Sequence, residues 1–299
     1  MTEFLEILAA NPGLFIGVCA ALGLMIGSFL NVIIHRVPIM MDNALRAECA
    51  ALAGGEAAAA PPPSYNLVTP RSACPKCNAP ITAVQNIPVV SWLALRGKCA
   101  NCKIPISKRY PLVELATGVL SAFIAWRFGY GTTALAALGF TWFLIALTMI
   151  DFDTQYLPDQ LTYPLLWLGL IVSLWHPIWA EGAAAVSPRD SIIGAVAGYL
   201  SLWSVYWVFK LITGKEGMGY GDFKLFAALG AWLGWKMLLP IIVFASGVGA
   251  VFGIAVMIRQ RRGKDTQIAF GPFLAIAGWL ALVFGHEVVE RYLGLFARG

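Results

Sequence analysis

The sequence predicts an all-α polytopic membrane protein with about eight transmembrane helices and a cytoplasmic zinc-binding module between helices 1 and 2. Three observations lead to this prediction: the apolar content, the lengths of the apolar runs and the distribution of basic residues. Of the 299 residues, 59% are hydrophobic and only 12% are charged. Because charged residues make up about a quarter of a soluble domain, the chain is expected to lie in membrane lipid.

Eight apolar runs are long enough to cross about 30 Å of hydrocarbon. The predicted spans are residues 13–34, 111–128, 131–150, 160–177, 191–212, 223–239, 240–258 and 268–289. Turn residues separate the closest pairs, with Gly129 to Gly131 between the second and third spans and Pro240 between the sixth and seventh. The first run follows no Lys or Arg and precedes no small-residue cleavage site, so we expect it to be retained as a helix.

Basic residues give the predicted orientation. Most of the 21 lysines and arginines fall within residues 36–110, 210–224 and 259–264. If the N-terminus is outside, all three segments face the cytoplasm, as the positive-inside rule requires. The net charge of +5 is then explained by membrane topology, so membrane lipid is an expected partner and nucleic acid is not.

One long segment between the apolar runs is predicted to be soluble. The predicted domains are a first transmembrane helix in residues 1–35, a cytoplasmic loop in 36–110 and a seven-helix membrane domain in 111–299. Within the loop, the alanine-rich residues 39–60 predict a short helix on the membrane surface, which the three prolines at 61–63 end. A cysteine module follows at about residues 70–105. We find no internal repeat.

Four of the six cysteines form two Cys-x-x-Cys pairs, Cys74 with Cys77 and Cys99 with Cys102. This spacing is typical of a four-thiolate zinc site. A zinc ion with four protein ligands is structural, and it supplies folding energy to a segment too small for its own core. Two disulfides or a redox dithiol are the alternatives. A cytoplasmic location disfavours the disulfides, and no thioredoxin-like pattern surrounds either pair.

Two acidic residues lie at the ends of predicted spans, where an ionisable side chain is costly and indicates function. Asp151 follows the third span, and Asp222 precedes the sixth within the sequence Gly-Tyr-Gly-Asp. Counting membrane crossings places both at the cytoplasmic face. Two carboxylates in a poorly solvated pocket share one proton. The charged acid can then activate water while the neutral acid donates to a scissile carbonyl, as in an aspartyl protease.

The glycines beside Asp222 fit this hypothesis. Gly219 and Gly221 have no Cβ, so an extended substrate could approach the acid closely. A structural alternative makes Asp222 a helix cap and Asp153 and Asp159 caps or turn residues. In another alternative, the two acids are relays of a proton-coupled transporter. Transporters often contain duplicated halves, whereas the two halves of this chain look unlike.

Several further motifs occur in a fixed order along the chain. They are Gly27-Ser28-Phe29-Leu30-Asn31, Pro70-Arg71-Ser72, Gly97-Lys98-Cys99, Arg109-Tyr110-Pro111-Leu112-Val113-Glu114, Leu157-Pro158-Asp159, Gly219-Tyr220-Gly221-Asp222-Phe223-Lys224 and Phe270-Gly271-Pro272-Phe273. In this order they resemble the type IV prepilin peptidases over nearly the whole chain. The cysteine module and the first motif favour this bacterial family over archaeal preflagellin peptidases and presenilin-like proteases.

The resemblance implies a multi-pass enzyme of the bacterial inner membrane whose active site faces the cytoplasm. Members cleave the leader peptide of type IV prepilins and pseudopilins, and their two catalytic aspartates correspond to Asp151 and Asp222. Gly219, Gly221 and Lys224 are then supporting residues. Many members also N-methylate the new N-terminal residue with S-adenosylmethionine, an activity associated with the cysteine module.

The residues that would bind the methyl donor rest on the resemblance alone, because the chain has no Rossmann-type glycine fingerprint. The candidates are Gly97, Lys98, Arg109 and Glu114. Arg36 is a further basic candidate for an anionic group, with positive-inside anchoring as the alternative for each base. Glu114 could instead cap its helix, and Asn31 could form a hydrogen bond between helices.

Overall fold

The computed structural model describes residues 2–52, 65–175, 186–260 and 269–296. Within these ranges it contains ten α-helices, two short 3-10 helices and two isolated β-bridges. The α-helices are α1 (Thr2–Ala10), α2 (Pro12–Leu52), α3 (Val90–Ala94), α4 (Arg109–Phe128), α5 (Thr132–Thr154), α6 (Asp159–Trp175), α7 (Pro188–Thr213), α8 (Tyr220–Leu233), α9 (Leu238–Gln260) and α10 (Gly271–Phe296). The predicted all-α class is confirmed.

Five helical segments among the described residues are long and apolar enough to cross a membrane. They are α2, α4, α5, α7 and the segment Trp235–Ile258, which contains most of α9. Their outer faces carry large exposed apolar side chains, including Leu211 of α7 and Val251 and Ile258 of α9. An apolar surface of this extent is unfavourable in water and marks contact with another apolar phase. The chain is therefore a multi-pass membrane protein.

Helix α2 is much longer than the predicted first span. It continues without a break to Leu52, so the prediction of a separate surface helix over residues 39–60 is wrong as far as residue 52. Pro38 lies inside α2. A proline removes one backbone hydrogen bond of a helix, but the helix can continue beyond it. Residues 53–60 and the three prolines at 61–63 lie outside the described residues.

The predicted boundary between the sixth and seventh spans is also wrong. Helix α8 ends at Leu233, and the next residue, Gly234, has a φ of +75°, a conformation that glycine adopts readily. A 3-10 turn, Trp235–Met237, then leads into α9. Pro240 lies in the first turn of α9, where a backbone N–H has no partner within the helix and a proline is tolerated.

The chain divides into two units, residues 1–130 and 131–299. In the first unit, α2 and α4 pack along each other. A Cβ added to Gly27 would lie 2.7 Å from the Glu114 Cα, so the two backbones are close. Asn31 Nδ2 donates to the Tyr110 carbonyl at 3.1 Å, which confirms the predicted hydrogen bond between helices. The predicted division into residues 1–35, 36–110 and 111–299, which concerns topology, stays a prediction.

Helix α8 lies at the centre of the second unit. All of its residues from 225 to 233 are buried, and α6, α7 and α10 pack around it. The contact with α7 is close because Gly194 and Gly230 face each other, and a Cβ on either would overlap the backbone of the other. Glycines at a helix interface allow such an approach. Trp232 adds a polar contact by donating its indole N–H to the Leu165 carbonyl at 2.7 Å.

We expect Gly230→Val to destabilise the second unit by about 3 kcal/mol, because its side chain would force α7 and α8 apart. The shift in the unfolding midpoint in detergent, on titration with a denaturing surfactant, measures this effect. Gly247→Val is the control, since a Cβ at Gly247 in α9 meets nothing within 4 Å. Equal shifts for the two variants would show that helix propensity, and not the contact, causes the loss.

Candidate active site and candidate metal centre

The two predicted acids lie close together in the second unit. Asp151 is in the last turn of α5 and Asp222 in the first turn of α8. Both are buried, with exposed fractions of 4% and 7%, and they are near enough for the charge of Asp151 to act on Asp222. By contrast, Asp153 is exposed. The structure thus combines burial and like charge, the conditions under which two carboxyl groups share a proton.

The polar surroundings of the two acids differ. The backbone of Gly219 lies next to the Asp222 carboxylate, and the backbone of Gly271 lies next to the Asp151 carboxylate. Asp151 Oδ2 is buried and has no hydrogen-bond partner among the described residues. An unpaired buried oxygen is costly in a carboxylate that serves only the fold. This atom therefore favours a chemical role for Asp151.

Leu157, in the turn between α5 and α6, joins the backbone segments that surround the acids. A Cβ added to Gly221 would lie 2.7 Å from the Leu157 Cβ. One added to Gly271 would lie 3.1 Å from the Leu157 Cδ1 and 2.5 Å from Asp151 Oδ2. Gly221 therefore makes room for Leu157, a contact that the sequence analysis missed. Gly219 leaves more open space, since its added Cβ would meet only Asp222 Oδ2, at 3.7 Å.

Lys224, the predicted supporting residue, forms an ion pair with Asp159. Its Nζ lies 2.6 and 2.8 Å from the two carboxylate oxygens and 5.1 Å from the centre of the Tyr163 ring. The pair connects the start of α8 to the start of α6, where a negative charge is also favoured by the helix dipole. Lys224 thus fixes the position of α8 close to Asp222.

The four predicted metal ligands lie together in the first unit. The sulfur atoms of Cys74, Cys77, Cys99 and Cys102 are all within 4.8 Å of one another, and the Cys74 and Cys102 sulfurs are 3.7 Å apart. A tetrahedral zinc with Zn–S bonds of about 2.3 Å requires sulfurs roughly 3.8 Å apart. All six cysteines are free, which disfavours the disulfide alternative. The cluster could therefore hold a metal such as zinc.

The two cysteine turns have the same backbone structure, and both follow the sequence Cys-x-x-Cys-x-x-Pro-Ile. In each turn the first cysteine donates its N–H to a carbonyl at 2.9 Å, and the residue after the second cysteine has a positive φ. The carbonyls are those of Ala79 and Ile104, and the positive φ values are 54° at Asn78 and 58° at Lys103. No internal repeat was expected from the sequence, and this short repeat shows that the expectation was wrong.

The candidates for the methyl-donor site have separate contacts. Gly97 has a φ of +66°, and a Cβ there would lie 2.7 Å from the Trp92 ring. The Glu114 carboxylate accepts a hydrogen bond from the Val89 N–H at 2.7 Å. Lys98 pairs with Pro105 in a β-bridge. Gly97 and Glu114 thus contact other residues of the first unit, Trp92 and Val89 respectively.

Arg36 has a structural position in the first unit. Its guanidinium donates to the carbonyls of Asn66 and Pro70 at 2.7 and 2.6 Å and lies over the Tyr65 ring. The residue is only 7% exposed. These contacts satisfy a buried cation with backbone oxygens, so Arg36 attaches the chain before the cysteine module to α2. This structural role differs from both sequence-based interpretations of Arg36, positive-inside anchoring and the binding of an anionic group.

The helices and the buried acid pair define a class, multi-pass helical membrane proteins with a two-carboxylate site. Comparison with known sequences narrows the class to a family. Residues 21–128 match the bacterial peptidase A24 N-terminal domain, and residues 138–254 match the type IV leader peptidase family. Together with the relatives described next, these matches show that the chain belongs to the type IV leader peptidase family.

The chain is similar over nearly its full length to curated proteins named prepilin leader peptidase/N-methyltransferase. It is 51% identical to the one from Aeromonas hydrophila, covering 99% of this chain and 100% of that protein. It is 53% identical to the one from Stutzerimonas stutzeri, covering 98% of each chain. It is 52% identical to the one from Pseudomonas aeruginosa, covering 97% of each chain. No solved structure matches the chain.

The double substitution Cys74→Ser and Cys77→Ser is expected to lower bound zinc from about one ion per chain to nearly none, because two thiolates cannot complete the tetrahedron. Elemental analysis of the purified protein measures the zinc content. Cys49→Ser is the matched control, since Cys49 is an exposed free thiol on α2. If the double variant keeps the zinc content of the wild type, the four cysteines are not its ligands.

Proposed function

We propose that the chain removes the leader peptide of type IV prepilins and pseudopilins at the cytoplasmic membrane face, with Asp151 and Asp222 as the catalytic residues. The observation that carries this proposal is the burial of the two acids next to each other at helix ends. Family membership supports the same activity. The names of the full-length relatives further support N-methylation of the new N-terminal residue.

Burial gives the two acids complementary chemical roles. Because they share one proton, one carboxylate is charged and the other is neutral. The charged acid removes a proton from water as the water oxygen attacks the scissile carbonyl, and the neutral acid donates its proton to the carbonyl oxygen. When the tetrahedral intermediate breaks down, the acid that was protonated by water gives this proton to the leaving amine and the C–N bond is cleaved. A hydroxyl proton of the intermediate returns to the acid that had donated its own. Each proton taken up is thereby returned, and the pair is ready for another cycle.

Three neighbouring residues support this chemistry. The backbone of Gly219 lies beside Asp222 and leaves space next to the carboxylate for a substrate backbone. Gly221 admits Leu157, which fixes the turn that follows Asp151. Lys224 compensates the charge of Asp159, so that a third unpaired carboxylate is not added near the two acids. An unpaired charge there would raise the cost of ionising either acid.

We also propose that eight helices cross the bacterial inner membrane, with both acids at the cytoplasmic side. Each predicted span lies mostly in one helix of the structure, α2 or one of α4 to α10, and the sixth span also reaches the start of α9. The short helix α8 is enclosed by α6, α7 and α10, so it needs little contact with lipid. The basic residues between the spans support the orientation. Residues 176–177 and 268, at the ends of two predicted spans, lie outside the described residues.

For the second activity, we propose S-adenosylmethionine as the methyl donor and a structural zinc held by the four cysteines. Gly97, Lys98, Arg109 and Glu114 stay the candidates for the donor site. Because Gly97 closes against Trp92 and Glu114 holds the Val89 backbone, substitutions at these two positions would also disturb the module itself. Prepilin or pseudopilin precursors are the proposed protein partners, within membrane lipid.

Asp151→Asn and Asp222→Asn are each expected to lower leader removal at least about 1,000-fold, because an amide can neither accept nor donate the shared proton. A precursor pilin incubated with purified enzyme in lipid vesicles, followed by electrophoresis, measures the rate. Asp153→Asn, at an exposed position on the same helix turn, should keep at least half of the activity. Retained cleavage in either of the first two variants would remove that residue from the catalytic pair.

Gly271→Ala is expected to lower cleavage about 100-fold, because the added methyl group would collide with Asp151 Oδ2 and displace the carboxylate. Methylation of a peptide that already has a free N-terminal residue should stay near the wild-type rate, and the two assays can be run on the same preparation. Gly139→Ala is the control on α5, since its added Cβ meets nothing within 4 Å. Equal cleavage by both variants would contradict the proposed contact.

A further inference from the structure

The segment between α7 and α8, residues 214–219, packs back against the last turns of α7. We call this segment the strap. A Cβ added to Gly217 would lie 2.8 Å from the Phe209 ring, so the strap backbone lies directly on that ring. One residue earlier, Glu216 Oε1 accepts a hydrogen bond from Lys210 Nζ at 2.8 Å. Two consecutive strap residues thus contact two consecutive residues of α7.

Lys210 is held in place by several groups at once. Its Nζ also donates to Tyr206 Oη at 3.2 Å and lies 5.5 and 5.6 Å from the ring centres of Tyr206 and Trp207. Tyr206 is 2% exposed, so one partner of the ammonium is rigid. Because Tyr206 and Trp207 fix the ammonium of Lys210, this ammonium can fix Glu216 in turn.

The strap ends at the residue that orients Asp222. Gly219, its last residue, is the N-cap of α8 with extended backbone angles of −79° and 148°. The Gly219 backbone lies next to the Asp222 carboxylate, and the Gly219 carbonyl accepts a hydrogen bond from the Asp222 N–H at 3.2 Å. The orientation of the carboxylate therefore depends on the conformation of the strap.

Tyr220 and Phe223, which are close to Asp222 in the sequence, also contact α7. The ring centre of Tyr206 lies 5.3 Å from that of Tyr220 and 5.6 Å from that of Phe223. Tyr206 thus contacts the start of α8 directly and holds Lys210 through its hydroxyl group. The buried side chain of Tyr206 thus contacts both Lys210, which holds the strap, and the first turn of α8, which contains Asp222.

The Lys210–Glu216 pair contributes little to the stability of the fold. The two side chains are 34% and 69% exposed, and ion pairs at such positions add little to the free energy of folding because solvent screens them. Their effect on geometry is larger, because Glu216 is three residues from Gly219 and the intervening backbone contains another glycine. Glycine leaves the backbone free to adopt many conformations unless its neighbours are fixed.

We propose that Lys210 is a positioning residue for Asp222 and acts through Glu216 and the strap. This inference rests on the proposed function, because it concerns the orientation of a catalytic carboxylate. Without the pair, the strap loses its contact with Lys210 and Gly219 adopts other backbone angles. The Asp222 carboxylate then spends less time in the orientation that shares a proton with Asp151. Turnover falls, whereas substrate binding does not change.

Lys210→Met tests this inference, since methionine keeps the apolar stem and removes the charge and the hydrogen bonds. We expect kcat for leader removal to fall about tenfold, with KM within twofold of the wild type. Lys210→Arg, which can donate to both Tyr206 and Glu216, should restore at least half of the lost kcat. Arg189→Met, at the exposed opposite end of α7, is the matched control and should leave kcat unchanged.

A second variant separates positioning from folding. Glu216→Gln lies at an exposed site, so its unfolding midpoint should match that of the wild type while kcat falls about as far as in Lys210→Met. The double variant should be no slower than either single variant, since both break one interaction. Additive losses would overturn the path through Glu216. An increase in KM at unchanged kcat would also overturn it, because it would show that Lys210 contacts the substrate.

Wild type and Asp222→Asn, measured in the same assay, distinguish failure of the positioning role of Lys210 from failure of the proposed function. Loss of cleavage in Asp222→Asn together with full activity in Lys210→Met and Glu216→Gln overturns the positioning role and leaves the proposed function intact. Cleavage by Asp222→Asn at the wild-type rate overturns the proposed function itself. Loss in Asp222→Asn, a tenfold fall in kcat in both strap variants and rescue by Lys210→Arg support both.

Discussion

The side chain of Leu157 fills the space beside two glycines, and this contact brings three distant segments of the chain to one place. Gly221 precedes one buried acid, Gly271 approaches the other, and Leu157 follows α5 by only a few residues. A β-carbon would lie 2.7 Å from the Leu157 Cβ at Gly221 and 2.5 Å from Asp151 Oδ2 at Gly271, so either would force the segments apart. Two carboxylates can share a proton only at short range, so the chemistry depends on this apolar packing as much as on the acids themselves.

Residue type and crossing count predicted that Asp151 and Asp222 lie near each other and that the four cysteines form one cluster, and the structure has both arrangements. Ionisable side chains at membrane depth and thiols in regular pairs are rare, and few structures other than a functional site accommodate them. Leu157 and Gly271 were not found as site residues, because a leucine and a glycine are common and their importance arises from contacts between distant segments. The short repeat of the cysteine turns is visible in the sequence as Cys-x-x-Cys-x-x-Pro-Ile, but it was missed because only the cysteine spacing was considered.

Helix boundaries show a similar limit. The helix continues past Pro38, whereas Gly234 ends one, although proline is on average the stronger helix breaker. The difference arises from context, since a helix can continue past a proline, whereas the positive φ at Gly234 favours glycine and ends a helix. The roles of basic residues also depend on their structural context. Arg36 and Lys224 were placed at the cytoplasmic side by charge alone, but backbone carbonyls hold the first and Asp159 holds the second.

The facing glycines of α7 and α8 restrict how the acid pair can be rearranged. Because the peptide groups at Gly194 and Gly230 touch, sliding one of these helices along the other would require their backbones to separate first. Asp222 is therefore carried on a stiff two-helix frame. Any hinge that alters the spacing of the acids has to act through α5 and α10, which pack against each other and hold Asp151 and Gly271. A ligand that binds between α10 and α5 and separates them would thus prevent Asp151 and Asp222 from sharing a proton without contacting either carboxylate.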